Sequence, residues 1–284
     1  MIVQKNLLLE RNDKKTIAYD IFYKSDQEPK PVVIFCHGFK GYKDWGAWDL
    51  VAKRFAEGGY FFLKFNFSFN GGTLQNPIDF PDLDAFAENN FSKELDDLES
   101  VINFVTSNNC FEREIDTNSI SLVAHSRGGG IILIKASENS LVKNVITWAG
   151  VSDFKARFLE GSNHFKDWES KGVTFIENSR TKQLMPINFQ FYKDFIANEN
   201  RLTIKSAVNK LEIPMLIVQG SEDPTVIEKE ARQLHHWNPK SKLEIIKNGD
   251  HSFGTKHPWD ENELPKDLQK VVEKSIAFLK KNEN

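Results

Sequence analysis

A hydroxyl, an imidazole and a carboxylate, each on its own loop, are the groups through which this chain could act on a carbonyl. Ser126 stands in Ala124-His125-Ser126-Arg127-Gly128-Gly129-Gly130, directly after an apolar run at 120–124. That pattern reads as a buried strand that breaks at the serine and restarts as a helix on small residues. A hydroxyl on such a turn is held clear of the sheet on a tight bend, with the first amides of the helix facing whatever it attacks. The spacing is small-x-Ser-x-Gly, with alanine first, where strand and helix nearly touch. A serine among small residues also serves as an ordinary helix N-cap, so its context decides.

A serine hydroxyl is a poor nucleophile until a base takes its proton, and the base needs a third group to orient it. After the apolar run 215–218 the chain reads Gln219-Gly220-Ser221-Glu222-Asp223-Pro224, which puts Asp223 on a turn beyond a strand's carboxyl end. After 243–246 it reads Lys247-Asn248-Gly249-Asp250-His251-Ser252, which puts His251 at the corresponding place one strand on. Taken singly, an Asp before Pro is a good turn residue and a loop His is solvated. Together, at the strand ends where open α/β sheets gather their ligands, they predict a catalytic set of Ser126, Asp223 and His251. Glu222 and Asp250 are the fallback acids, though Asp250 adjoins His251 and is poorly placed to reach its ring nitrogen.

A fourth element is an oxyanion hole. Cys36-His37-Gly38-Phe39-Lys40-Gly41 follows the first buried run, and a glycine there lets a backbone amide face a reacting carbonyl. The N–H groups of Phe39 and Arg127 are the expected donors. His37 and Gly38 are expected to line the substrate side, with His37 bracing the loop by hydrogen bonding. The Arg127 guanidinium has three possible uses: a substrate carboxylate, an acid of a cap, or an internal salt bridge. His125, His164, His235, His236 and His257 have no evident partner in the sequence.

The elements that would position these residues alternate. Apolar, β-favouring stretches at 7–9 and 17–23, joined by polar residues 11–15, suggest an opening hairpin. The runs 32–36 and 60–67 are continuous enough to be strands covered on both faces. Trp48, Val51, Ala52 and Phe55 share a helical face that ends at Gly58-Gly59, and Leu95, Leu98, Val101, Ile102 and Val105 form another stripe. Later strands fall at 120–124, 145–149, 215–218 and 243–246, and a closing helix at 268–279. The alternation predicts an α/β fold with a mostly parallel, twisted sheet and helices on both faces. Two segments interrupt it. Residues 66–92 form a long loop rich in Gly, Asn, Asp and Phe, a length associated with functional or lid-like segments. Residues 151–209 carry nine aromatics between Phe154 and Phe195 and no strand periodicity. We expect a core of 1–150 and 210–284 with an inserted helical cap at 151–209.

The 284 residues include 23 Phe and 6 Trp, and the net charge is -3. Basic residues are interspersed with acids, which argues against a nucleic-acid partner. No apolar stretch approaches the roughly 18 residues of a membrane span, and the first residues lack signal-peptide order, so a cytoplasmic monomer or homodimer without membrane attachment is expected. Cys36 and Cys110 fit no disulfide or metal framework. The expected chemistry requires no metal and no organic cofactor, and a small-molecule ester is the expected partner.

The set His37-Gly38-Phe39, Ala124-His125-Ser126-Arg127-Gly128-Gly129, Asp223 in Gly-Ser-Glu-Asp-Pro-Thr-Val and His251 in Gly-Asp-His-Ser-Phe resembles the α/β-hydrolase superfamily. Within it the chain is similar to dienelactone-hydrolase-type and cinnamoyl or feruloyl esterase proteins, which share an HGF oxyanion loop and a cap after the sixth strand. The resemblance covers residues 30–280 and implies the Ser, Asp, His chain order. It implies a serine esterase working through an acyl-enzyme on Ser126. Dienelactone hydrolases proper use a Cys nucleophile and dehalogenase relatives an Asp, and Ser126 departs from both. A serine aminopeptidase or acyl-peptide hydrolase would use the same machinery, and a ligand-binding sensor would keep the fold without turnover.

Overall fold

The computed structural model describes residues 1–26, 28–107, 111 and 113–282. Cys110 lies outside these residues. An opening hairpin, β1 (Ile2–Arg11) and β2 (Lys14–Tyr23), leads into β3 (Lys30–Cys36) and β4 (Phe61–Phe65). The sheet continues with β5 (Ile115–His125) and β6 (Val142–Trp148), and then with β9 (Met215–Gly220) and β10 (Lys242–Ile246). Its order is β1-β2-β4-β3-β5-β6-β9-β10. β1 pairs antiparallel with β2, and β2 with β4; every later pairing is parallel.

Parallel strands are joined by crossovers that carry helices, so both faces are covered. Alternate residues of one strand feed opposite cores: Val32, Ile34 and Cys36 of β3 pack one way, Val33 and Phe35 the other. The first core takes α3 (Phe91–Ser107), α4 (Arg127–Glu138) and α9 (Glu228–Trp237). The second takes α1 (Trp48–Glu57) and α10 (Lys266–Lys281). None of the helices in the described residues is long and apolar enough to cross a membrane.

The two interruptions have more structure than their sequences suggest. Within 66–92 lies the short helix α2 (Leu83–Ala87), capped by the Asp82 carboxylate, which accepts from the Ala85 N–H. Between β6 and β9 come α5 (Asn163–Lys171), α6 (Gln190–Ala197), α7 (Glu199–Leu202) and α8 (Ile204–Lys210). They are joined by an antiparallel pair, β7 (Val173–Glu177) and β8 (Leu184–Asn188). A purely helical segment was expected there. Two five-residue strands, half exposed and with Pro186 in one of them, carry too little period-two patterning to be read in advance.

Candidate active site

Ser126 sits between β5 and α4 with φ 56° and ψ -122°, a region that costs a non-glycine residue on the order of 1–3 kcal/mol. Its backbone is fixed from several sides. The Ser126 N–H donates to the Trp148 carbonyl at 2.9 Å, and its own carbonyl accepts from Gly129 at 2.9 Å and Val151 at 3.3 Å. The small residues around it are set by approach distances. A Cβ at Gly128 would lie 2.6 Å from the His37 carbonyl oxygen, and one at Gly38 would lie 2.8 Å from the Ser126 Cβ. The loop after β3 is thus held against the first turn of α4.

The three expected side chains meet at this rim. His251 Nε2 lies 3.1 Å from Ser126 Oγ, and its Nδ1 lies 2.7 Å from Asp223 Oδ2. With Nδ1–H donating to the carboxylate, Nε2 accepts from the serine hydroxyl. Burial works to raise the Asp223 carboxyl, but the hydrogen bond and charge of His251 and the N–H groups of Val226 and Thr225 bring it below the usual carboxylate range. Asp223 therefore stays ionised. Glu222 and Asp250 are not part of this chain of bonds: Asp250 Oδ1 instead accepts from the Ser252 and Gly254 N–H groups.

His37 braces the loop, with Nδ1 2.9 Å from the Gly38 carbonyl and Nε2 accepting from the Phe67 N–H at 3.2 Å. Burial pushes its imidazole down to about 4, which keeps it neutral. As the first residue of α4, Arg127 has a backbone N–H without an intrahelical acceptor, free for a ligand oxygen. Its side chain takes the internal option: Nη1 lies 3.3 Å from Glu94 Oε1, and the guanidinium stacks over the Phe39 ring at 3.9 Å.

Three supporting residues went unread in the sequence. His125 Nε2 lies 2.8 Å from the His251 carbonyl, tying the elbow to the histidine loop, and burial pushes it down to about 3. Gln219 donates to Asp223 Oδ2 at 3.0 Å. Glu94 is the buried partner of Arg127. The signal for Gln219 and Glu94 was a lone polar residue on an otherwise apolar strand or helix stripe.

Ser126 opens onto two chambers. One, of about 340 Å³, is walled by Phe39, Phe91, Phe154, Phe158, Trp168 and Phe191. The other, of about 670 Å³, is polar and contains His251. Asp20, Asp44 and Asp49 are close enough to share an ion, but the buried Lys64 ammonium already lies 2.7, 3.0 and 2.7 Å from them.

A family model for BD-FAE matches residues 19–238. The chain superposes on Est1E from Butyrivibrio proteoclasticus with a TM-score of 0.72 at 17% identity, covering 97% of this chain and 98% of that one. It superposes on a dienelactone hydrolase from Anabaena variabilis with a TM-score of 0.64 at 14% identity, covering 98% of each. An uncharacterized Saccharomyces cerevisiae protein, YDL057W, is 26% identical over 172 residues, which are 58% of this chain and 48% of that protein. The chain thus spans about half the length of that curated relative. With an eight-stranded, mostly parallel sheet that has the α/β-hydrolase fold and the family match over most of its length, the chain belongs to the BD-FAE family.

Proposed function

We propose that the protein is a serine hydrolase that cleaves carboxylic esters through an acyl-enzyme on Ser126. The observation that carries this is the continuous hydrogen-bonded chain from Ser126 Oγ through His251 to Asp223. His251 Nε2 takes the hydroxyl proton as Oγ bonds to the ester carbonyl carbon, and the carbonyl electron pair moves onto oxygen. The N–H groups of Phe39 and Arg127 hold that oxyanion. The intermediate collapses, the C–O bond to the alcohol breaks, and the departing oxygen takes the proton from His251. Water, deprotonated by the same imidazole, then releases the acid and restores Ser126. This cycle is complete without a metal or organic cofactor.

Because His251 must reach the leaving oxygen, the alcohol half lies in the polar chamber and the acyl half in the aromatic one. We read 151–209 as a cap, since Phe154, Phe158, Trp168 and Phe191 from that segment wall the acyl side. A solved structure of Est1E with ferulic acid bound, which this chain matches at a TM-score of 0.73, supports an aromatic acyl group. A peptidase that recognises a free amine would need acids facing its substrate, and no described carboxylate lines either chamber.

Steady-state hydrolysis of p-nitrophenyl butyrate by Ser126→Ala tests the reading. The expected loss in kcat is about ten-thousand-fold or more, with folding checked by circular dichroism. A Ser126→Ala protein that keeps its activity overturns the assignment. Labelling of Ser126 by a fluorophosphonate without ester turnover would point instead to a ligand-binding sensor.

A further inference from the structure

The two chambers on either side of Ser126 differ in charge as well as in polarity. On the aromatic side the cations are already compensated: Arg127 pairs with Glu94 and Arg157 with Glu230. On the His251 side the walls carry Lys40, Arg180 and Lys256, and no acid. Arg180 pairs with Asp79, but among the described residues Lys40 and Lys256 have no carboxylate within ion-pair distance. A chain with a net charge of -3 thus leaves two uncompensated ammonium groups around one cavity.

A buried hydroxyl on the same walls points the same way. Thr255 Oγ1 is enclosed, the residue being 6% exposed, and has no hydrogen-bond partner among the described residues, while the Tyr42 hydroxyl, 1% exposed, faces the Arg180 guanidinium. An enclosed hydroxyl left unpaired costs about 1–3 kcal/mol, so the uncommitted Thr255 donor favours a polar occupant over an apolar one on this wall. Asn178 and the Arg180 guanidinium, from the turn between β7 and β8, complete the polar lip.

We propose that this chamber binds an anionic leaving group: the alcohol half of the natural ester carries a carboxylate or a phosphate. The inference rests on the esterase reading, which assigns the His251 side to the departing alcohol. Lys256 and Lys40 attract the anion, and the uncommitted Thr255 hydroxyl is the neutral donor on the same wall. Because Lys256 is exposed, each ammonium adds a modest, salt-sensitive preference rather than an absolute requirement.

The test uses three esters of 3-phenylpropanoic acid that differ only in the alcohol: glycolate, 2-phosphoethanol and neutral ethylene glycol. The expected kcat/KM ratio of the better anionic ester to the neutral one is about five- to tenfold at 20 mM salt and falls toward unity at 500 mM. In Lys256→Gln the same ratio falls about threefold. The glycolate and phosphate arms tell which anion is preferred. Equal rates for anionic and neutral esters, or a ratio unmoved by Lys256→Gln, overturn the inference and leave the esterase reading standing. Failure of the wild-type protein to hydrolyse any of the three overturns both.

Discussion

Asp223 accepts four hydrogen bonds, and their arrangement decides which tautomer His251 holds. Its Oδ1 takes the Thr225 and Val226 N–H groups at 2.8 and 2.9 Å, and its Oδ2 takes Gln219 at 3.0 Å and His251 Nδ1 at 2.7 Å. An asparagine would keep its oxygen on the two backbone donors and turn its amide nitrogen toward His251. That nitrogen is a donor, so the imidazole would have to accept at Nδ1 and carry its proton on Nε2, where the serine needs an acceptor. The new amide would also face the Gln219 amide, donor against donor. Asp223→Asn should therefore lower kcat by about ten-thousand-fold while leaving KM within a few-fold, because substrate touches neither changed atom. Initial-rate measurements on p-nitrophenyl butyrate decide it. A kcat near that of the parent protein would mean that another acid orients His251.

In the proposed mechanism two elements must touch for the oxyanion donors to converge: the loop after β3 would supply the Phe39 amide and the first turn of α4 that of Arg127. Gly128 is where they meet, with the His37 and Cys36 carbonyl oxygens 2.6 and 2.9 Å from where its Cβ would stand. Both obstructing atoms are backbone, so Gly128→Ala has to push β3 and α4 apart rather than rotate a side chain. Overpacking of this kind costs about 1–3 kcal/mol of stability. Because the shift separates the two amides, kcat should fall at least tenfold, well beyond what that stability loss removes at 25 °C. Chemical denaturation and kcat measured together distinguish this from simple unfolding, and an unchanged kcat would show that Gly128 is there for packing alone. The run Ala124 to Gly130 announced this contact in the sequence, as did the apolar runs that became β3 to β6, because backbone crowding and burial leave a local composition. The packing between distant segments left fainter traces. Asp20 lies inside one apolar run and Lys64 inside another, and the structure pairs them across the β2–β4 register with 2.7 Å between charged atoms. Lys43, also buried, joins Asp20 at 2.7 Å, and its backbone N–H donates to Asn66 Oδ1 at 2.6 Å. A lone charge in an apolar run signals a buried partner, but only the strand register names it. Likewise β7 and β8 were illegible because they pair with each other, and β8 adds only Met185 and Ile187 to a small aromatic cluster rather than to a patterned core.

For the whole molecule, acid sensitivity follows from three buried groups whose shifts oppose one another. Burial holds His37 at about 4 and His125 at about 3, against an ordinary value of 6.5. As pH falls below 6.5 the unfolded chain takes up a proton at each histidine while the folded chain takes up neither, so stability is lost. Protonating His37 Nε2 in place would also cost the bond from the Phe67 N–H. Asp97 works in the other direction. Burial, only partly offset by Arg11 and the Ser68 donors, raises it from 3.8 to about 6, so below pH 6 the folded chain holds a proton that the unfolded chain lacks. Glu94, raised by burial beside Arg127, works in the same direction as Asp97. Two protons gained by the unfolded state against about one gained at Asp97 leave a net difference of at most about one between pH 6.5 and 5. Stability should then fall by on the order of 1 kcal/mol per pH unit across that window, read from urea unfolding at successive pH values. In Asp97→Asn the offset disappears and the slope should roughly double, whatever the change in stability at pH 7. The slope, not the midpoint, is the readout, because losing the Arg11 partner destabilises the variant at every pH. Stability that rises on acidification from pH 6.5 to 5 would mean that His37 and His125 are charged in the folded protein, and that the loop beside Ser126 is braced by something other than neutral imidazoles.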